Sequence, residues 1–531
     1  MQKPFVLIAG AGPTGLALAL WLTRLGARVR IVDKTAEPGT TSRALAVQAR
    51  TLELYRQLGI AGGLVGGGIR IAGVNLWVKG KQAARLPLGR IGEGMSPYPF
   101  ALVFPQDAHE RLLVECLEAA GLAVERRTEL VRVERSGHEV SATLRRPDGS
   151  EETCEPAYLA GCDGAASFVR EALGIGFPGG TYEGLFYVAD VEASGPVADD
   201  ELHVDFDDAD FLLVFPLRGQ RRLRLVGFVR AAPGRNVLDK AGREPDELTF
   251  ADVSDRAIRH LQLEDIEVHW FSTYHVHHRV AHRFRDGRVF LLGDAAHIHS
   301  PVGGQGMNTG IGDAVNLAWK LAAALQDRAA ERLLDSYEPE RIAFAERLVA
   351  TTDRAFTVVT RQGWLARLVR TRVVPAVLPV LFRLPAARKF IFRTVSQLGV
   401  NYRDSMLSVG AAGRVRGGDR LPWVRIDPAT DNFAPLAAIA WQVHVYGEAQ
   451  GRVADACRAL GLPLRQFSWG TEMQRAGLRR GALYLVRPDG YVALADPEAD
   501  PLRLRRYVEE RGGAAVLRGA RRRPEPAGQL E

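Results

Sequence analysis

Phe5-Val6-Leu7-Ile8-Ala9-Gly10-Ala11-Gly12-Pro13-Thr14-Gly15-Leu16 is the stretch on which the fold turns. Five apolar residues read as a buried strand, and a glycine-rich turn follows at once. Leu16, Leu18, Leu20, Leu22 and Leu25 among alanines then predict a helix over 15–25, with Gly26 as its stop signal. Residues 28–32 read as a second strand, so the opening is a βαβ unit. Gly10 suits a tight turn, Gly12 lets the backbone approach a pyrophosphate, and Gly15 lets helix and strand pack closely. Pro13 and Thr14 sit within the same turn, where a helix N-terminus offers N–H groups and a positive dipole end to phosphates. Asp33 closes the second strand, about twenty residues on, where an acid can accept hydrogen bonds from a ribose; Lys34 beside it joins the candidate set. This fingerprint alone does not choose between FAD and NAD(P), and a glycine-rich turn without a ligand is the plain alternative.

The chain around it has 531 residues, 47% of them hydrophobic, and a net charge of +7. That length predicts two or three domains, and the composition is globular. The basic excess is spread out, with no recognition motif, so nucleic acid is not an expected partner. Cys116, Cys154, Cys162 and Cys457 form no Cys-x-x-Cys pair, which argues against a disulfide framework or a metal site. No signal peptide and no apolar run long enough to cross a bilayer is found, so the expectation is a cytoplasmic protein without a membrane partner. Further helices are predicted over 51–58 and 107–120, and strands over 122–134 and 140–146. From 178 to 285 the texture changes to short β-like runs, 211–215, 223–229 and 267–274, which predict an antiparallel sheet inserted into the α/β domain. After 321 the pattern is helical to about 397. Residues 361–393 mix arginines with Trp364, leucine, valine and three prolines. They read as a helical connector, with a membrane-touching amphipathic surface as the alternative. A last segment carries βαβ texture and a hairpin, 482–486 and 491–494, turned by Arg487-Pro488-Asp489-Gly490.

Two later stretches complete the pattern. Gly161-Cys162-Asp163-Gly164 leads to Arg170 after an apolar run. Gly293-Asp294-Ala295-Ala296-His297 ends another, and Pro301-Val302-Gly303-Gly304-Gln305-Gly306-Met307-Asn308 follows. With these three motifs in order, the sequence resembles the class A FAD-dependent aromatic hydroxylases, the group of para-hydroxybenzoate hydroxylase, phenol hydroxylase and the polyketide hydroxylases, over roughly residues 4–350.

The resemblance implies an α/β fold. A Rossmann-like FAD-binding domain of the glutathione-reductase type spans 1–177 and resumes over 286–400 with a helical connector. An antiparallel β-sheet substrate domain is inserted at 178–285, and a thioredoxin-like C-terminal domain spans 410–520. It implies that Asp294 holds the ribityl chain, that Pro301, Gly304, Gly306, Met307 and Asn308 border the isoalloxazine, and that Arg43 and Gln106 contact FAD. Arg43 and Gln106 are otherwise plain surface residues. Asp163 and Arg170 match a motif tied to FAD and NAD(P)H, although Asp163 could equally cap the helix after it. NAD(P)H has no dinucleotide unit of its own and is expected as a transient co-substrate.

The implied reaction is hydroxylation of a small aromatic substrate by dioxygen through a C4a-hydroperoxyflavin. The cofactor does the difficult chemistry and the protein orients it and excludes water. Phe211, Phe215, Phe228, Trp270 and Tyr274 are candidates for the apolar substrate wall, and Tyr274 or His275 for deprotonating a phenol. The C-terminal domain, lacking Cys-x-x-Cys, is expected to serve packing or a homodimer. The rival readings are a Baeyer–Villiger or epoxidising enzyme of the same fold, a flavin reductase that never oxygenates, and a non-catalytic FAD-fold binding protein.

Overall fold

The computed structural model describes residues 4–39, 44–137, 139–206, 211–229, 249–252, 255–300, 303–326, 331–360 and 364–511. Its first sheet runs, in spatial order, Arg285–Asp286, Val289–Leu291, Tyr158–Gly161, Phe5–Ala9, Arg28–Asp33 and Glu125–Arg126. Every neighbouring pair is parallel except the outermost, Arg285–Asp286 on Val289–Leu291. Parallel strands covered on both faces are apolar throughout rather than alternating. Val6, Leu7, Ile8, Leu159, Val289 and Phe290 accordingly have no exposed surface.

The first helix starts at Pro13, two residues before the sequence signal, and runs to Arg24. Proline suits a first helical position because the N–H it lacks has no intrahelical partner there. This helix packs on Gly306–Leu325, a 20-residue helix that begins before the stretch 313–324 expected to be helical after the glycine loop. Gly306, Gly310 and Gly312 hide those early turns from any propensity argument. Packing explains them: a Cβ on Gly310 would lie 2.2 Å from Thr14 Oγ1. The strand expected over 122–134 is broken at Arg127, whose φ is +51°.

The second sheet has eight strands in the order His297–Ile298, Glu264–Val280, Gly179–Ser194, Arg222–Val229, Phe211–Pro216, Leu202–Phe206, Gly73–Val78 and Lys81–Pro87. It recruits the hairpin 73–87 from far upstream, joined by parallel pairing of Leu202–Phe206 with Gly73–Val78. One face of this sheet is closed by Phe250, Ile258, Leu261 and Leu263 over Tyr187, Leu212 and Leu225.

In the C-terminal sheet Gln442–Tyr446 lies next to the edge strand, parallel to Leu464–Phe467 and antiparallel to Leu483–Val486. Helices Gly451–Leu460 and Pro501–Arg511 accompany it. The Arg487–Gly490 turn plugs this unit into the rest of the chain. Arg487 donates to both Glu340 oxygens at 2.7 and 3.0 Å and to both Asp489 oxygens at 3.0 and 2.6 Å. Lys320 Nζ donates to Glu340 at 2.9 Å, and Trp319 Nε1 to Asp489 at 3.1 Å. The side chains of Lys320 and Glu340 are wholly buried. Burial alone would raise the Glu340 carboxyl, but Arg487 and Lys320 outweigh it and hold the group below the usual carboxylate range. Burial pulls Lys320 down to about 8, Glu340 offsetting part of the effect.

Candidate functional site

The three glycine-bearing stretches begin on one row of the first sheet. Ala9 pairs with Val32 on one side and Gly161 on the other, and Gly161 pairs with Leu291. The next residue on each strand, Gly10, Asp33, Cys162 and Leu292, therefore stands at the carboxyl edge. In open α/β sheets ligands bind in the crevice beyond those ends.

Close packing fixes the turns there. Gly10 has φ +102°, and a Cβ on it would lie 2.3 Å from the Cys162 carbonyl oxygen. A Cβ on Gly15 would lie 2.0 Å from the Gly10 oxygen, and one on Gly293 would lie 2.6 Å from Thr14 Oγ1. Gly12 is different. Its φ of −75° and ψ of −177° are open to any residue, and a Cβ there would meet nothing within 4 Å. The protein itself leaves that space empty, at the N-cap of a helix with no side-chain capping bond. Such a cradle fits a pyrophosphate.

Around the cradle, Asp33 Oδ2 accepts from the Ala11 N–H at 2.6 Å, and Oδ1 from the Thr35 N–H at 2.8 Å, which holds the carboxylate at the strand end. Lys34 is exposed beside it. Asp294 lies on the turn Gly293–Ala295 and is itself exposed, between buried Gly293 and Ala295. Beneath the turn, Asp313 accepts from the Gly293 N–H at 3.0 Å and from Arg341 Nε at 2.5 Å, and lies 2.7 Å from His297 Nε2. His297 is thus a buried structural partner. Gly303 and Gly304 have φ of +81° and +61°. The loop is then clamped: Asn308 Nδ2 donates to Ala46 O and Gly304 O, and its Oδ1 accepts from the Gln48 N–H and Thr51 Oγ1, all within 2.9 Å. Gly306 opens the following helix with Met307 and Asn308 in its first turn.

Asp163 does cap the helix after it, accepting from Ser167 Oγ at 2.6 Å and the Val169 N–H at 3.0 Å; burial pushes its carboxyl up. Arg170 reaches from there to the Ala295 carbonyl at 3.1 Å and so ties the second motif to the third. Gln106 starts the helix Gln106–Ala119 and donates to Glu110 at 2.8 Å. Arg43 and Pro301 lie outside the described residues.

On the inserted sheet, strand alternation separates the two candidate bases. Tyr274 packs on Phe186 with ring centres 5.8 Å apart, and shares that face with Trp270 and Asp190. His275 is exposed on the opposite face, the one on which Phe271 stacks on Tyr187. Phe215 packs on Leu45, Ile71 and Val103 of the first domain. Phe211 and Phe228 belong to strands of this sheet, but their side chains lie outside the described part.

The sequence reading missed Asp190 and Arg224, which form a two-pronged ion pair at 2.5 and 2.6 Å on the Tyr274 face, with the guanidinium 5.5 Å from the Trp270 ring centre. Each stands on an apolar strand as a lone charge in the sequence, and only the antiparallel pairing of the two strands makes them a pair. The pair borders a cavity of about 270 Å³ with Val103, Phe104, Leu217, Arg218 and Arg222, between that sheet and the helix begun by Gln106.

Buried His109 and half-buried His299 brace the glycine loop before Met307. His109 lies 2.9 Å from Tyr55 Oη and 3.3 Å from Met307 Sδ, and His299 sits beside Gly306. Burial lowers His109 from 6.5 to about 3 and His299 to about 4; His444 in the C-terminal unit is lowered to about 3. A base depressed in the fold takes up its proton more readily when unfolded. Its stabilising contribution is therefore complete above pH 6.5 and is lost as pH falls toward the folded value. At pH 5.5 the loss is about 1.4 kcal/mol per histidine. Thermal melts should show a midpoint that falls from pH 7 to 5.5, and His109→Gln, which keeps a partner for Tyr55, should fall less steeply. A flat wild-type profile would contradict this.

Comparison with known proteins agrees with this geometry. The FAD binding domain family matches residues 4–352. The 6-methylpretetramide 4-monooxygenase of Streptomyces rimosus is 37% identical over 78% of this chain and 72% of its own length. Pentachlorophenol 4-monooxygenase of Sphingobium chlorophenolicum is 32% identical over 85% and 81%. The structure of the anhydrotetracycline hydroxylase OxyS from Streptomyces rimosus superposes with a TM-score of 0.76 at 29% identity, covering 96% of this chain and 99% of that one.

Proposed function

Because the chain belongs to the FAD binding domain family and is an FAD-dependent monooxygenase of aromatic compounds, we propose that it hydroxylates a multi-ring, polyketide-type phenol with dioxygen. The observation that carries the cofactor reading is the single row on which Gly10, Asp33, Cys162 and Leu292 stand, beside a cradle at Gly12 that a Cβ would fill. The substrate reading draws on two relatives named for pretetramide and tetracycline compounds. A relative named as a hydroxylase favours ring hydroxylation over Baeyer–Villiger or epoxidising chemistry. Among the described residues no helix is long and apolar enough to cross a membrane, and a cytoplasmic location is part of the same proposal.

Bound FAD supplies hydride acceptance from NAD(P)H and activation of oxygen. The chain supplies the rest. Asp33 would accept from the adenosine ribose, the N–H groups at the start of the first helix would meet the pyrophosphate, and Asp294 would accept from the ribityl hydroxyls. The left-handed turns at Gly303 and Gly304, the latter packed against Ala46, shape the loop that would border the flat ring, and the helix from Gly306 would offer it its positive end. Phe215, Trp270 and Tyr274 form the apolar wall on the inserted sheet. Tyr274 is the better placed of the two candidate bases, because it shares the Asp190–Arg224 face and His275 does not.

A panel running from simple phenols to fused-ring polyketide aromatics tests the proposal, scored by substrate-stimulated NAD(P)H oxidation, dioxygen uptake and hydroxylated product. The fused-ring members should stimulate most, with one dioxygen consumed per product. Stimulation by simple phenols alone would overturn the substrate class. Tyr274→Phe should shift the pH–rate profile, and His275→Ala should leave it unchanged.

A further inference from the structure

Ten of the fourteen large apolar side chains that stand exposed among the described residues fall between Trp364 and Val395. They are arranged. In the helix Val374–Arg383, Pro375 is buried, and Leu378 and Phe382 turn inward on the inserted sheet's outer hairpin, in a cluster with Leu76, Leu86 and Ile91. Val373, Val377, Val380, Leu381 and Leu384 repeat at helical spacing on the outward side and are all exposed. The next helix, Pro385–Val395, inserts Phe392 so tightly that a Cβ on Gly92 would lie 2.0 Å from its ring. Its outward side presents Lys389, Phe390 and Arg393, with Phe390 71% exposed. Trp364, 78% exposed, leads the group. A helix apolar on both sides is normally covered on both, and here one side is bare.

The charge around the patch identifies its cover. Residues 354–403 contain ten Arg and Lys and not one Asp or Glu. Exposed Arg372, Arg383, Lys389 and Arg393 flank the apolar side chains. A second copy placed by a two-fold axis would set this patch against itself and bring cation against cation. An anionic bilayer offers both things the patch lacks, acyl surface for tryptophan, leucine and phenylalanine and phosphates for long cationic side chains that reach outward. The helices, of 10 and 11 residues, are too short to cross a membrane and suit one lying along it.

We propose that the face formed by residues 364–395 docks the enzyme on anionic phospholipid bilayers. The docked face lies directly over the substrate sheet's outer hairpin, so water-insoluble aromatic substrates would meet the enzyme at the surface in which they dissolve.

Flotation of the FAD-loaded full chain with vesicles tests this. It should float with phosphatidylcholine–phosphatidylglycerol vesicles and not with phosphatidylcholine alone, and added salt should weaken the binding. Trp364→Ser with Phe390→Ser, and separately Arg383→Glu with Lys389→Glu and Arg393→Glu, should each cut binding about tenfold or more. Bound flavin and basal NAD(P)H oxidation should stay as in the wild type, since none of these residues lies at the cofactor cradle. Failure to float with phosphatidylglycerol vesicles would overturn the proposal, as would variants that float unchanged. A dimer that Phe390→Ser dissolves, in a protein that ignores vesicles, would assign the face to a second copy and equally overturn it.

Discussion

Gly12→Val should yield a protein that folds as the wild type does yet binds FAD at least about 100-fold more weakly, near 3 kcal/mol. The reasoning starts from what glycine does not do there. Gly12 has ordinary extended backbone, and a Cβ would meet no atom of the protein within 4 Å. Neither conformation nor packing therefore demands glycine, and the apoprotein should melt within a degree or two of wild type. The added side chain fills the space the dinucleotide's phosphates need. Gly15→Ala is the contrasting control. Its Cβ would lie 2.0 Å from the Gly10 carbonyl oxygen, a backbone atom that cannot step aside, so this variant should fail to fold. Titrating purified apoprotein with FAD, alongside thermal melts, separates the two effects. A Gly12→Val protein that binds FAD normally would remove the cradle from the account.

Glu340→Ala should cost about 3–5 kcal/mol of stability, the range for removing one partner of a buried ion pair. Glu340 accepts from Arg487, Lys320, Asn316 and Ser405, every one between 2.6 and 3.0 Å. Its loss leaves Lys320 without an acid and Arg487 with Asp489 alone. Because the network joins the long helices of the first domain to the turn of the C-terminal unit, denaturation should split into two steps, the C-terminal unit loosening first. Arg487→Met should cost less, since Glu340 keeps Lys320 and Asp489 keeps the Trp319 N–H. Urea unfolding followed by tryptophan fluorescence measures both; a loss below about 1 kcal/mol for Glu340→Ala would show that the network does not hold the units together.

Local chemistry made the nucleotide half of the site legible in the sequence. Gly10, Gly15 and Asp33 act within one βαβ unit, whose strand and helix spacing can be counted along the chain. Asp294 was singled out through the family resemblance, and the structure places it on the turn just beyond an apolar strand. What escaped depends on residues far apart in sequence. The early start of the helix at Gly306 runs against the low helix propensity of three glycines, which long-range packing on Thr14 overrides. The Gly73–Pro87 hairpin joins the substrate sheet by a pairing more than a hundred residues distant, and nothing local announces it. Asp190 and Arg224 each look like a stray charge until the strands pair. Tyr274 and His275 are adjacent in sequence, and only the sheet assigns them to opposite faces.

Calorimetric titration of the apoprotein with FAD and, separately, with FMN tests the central claim most directly. The adenosine half of the cofactor should be gripped by Asp33 and the first helix, the ribityl half by Asp294. The account predicts one FAD per chain and FMN weaker by about 1,000-fold or more, because FMN forfeits the whole adenosine half. Equal affinity for the two flavins, or no uptake of either, would contradict it.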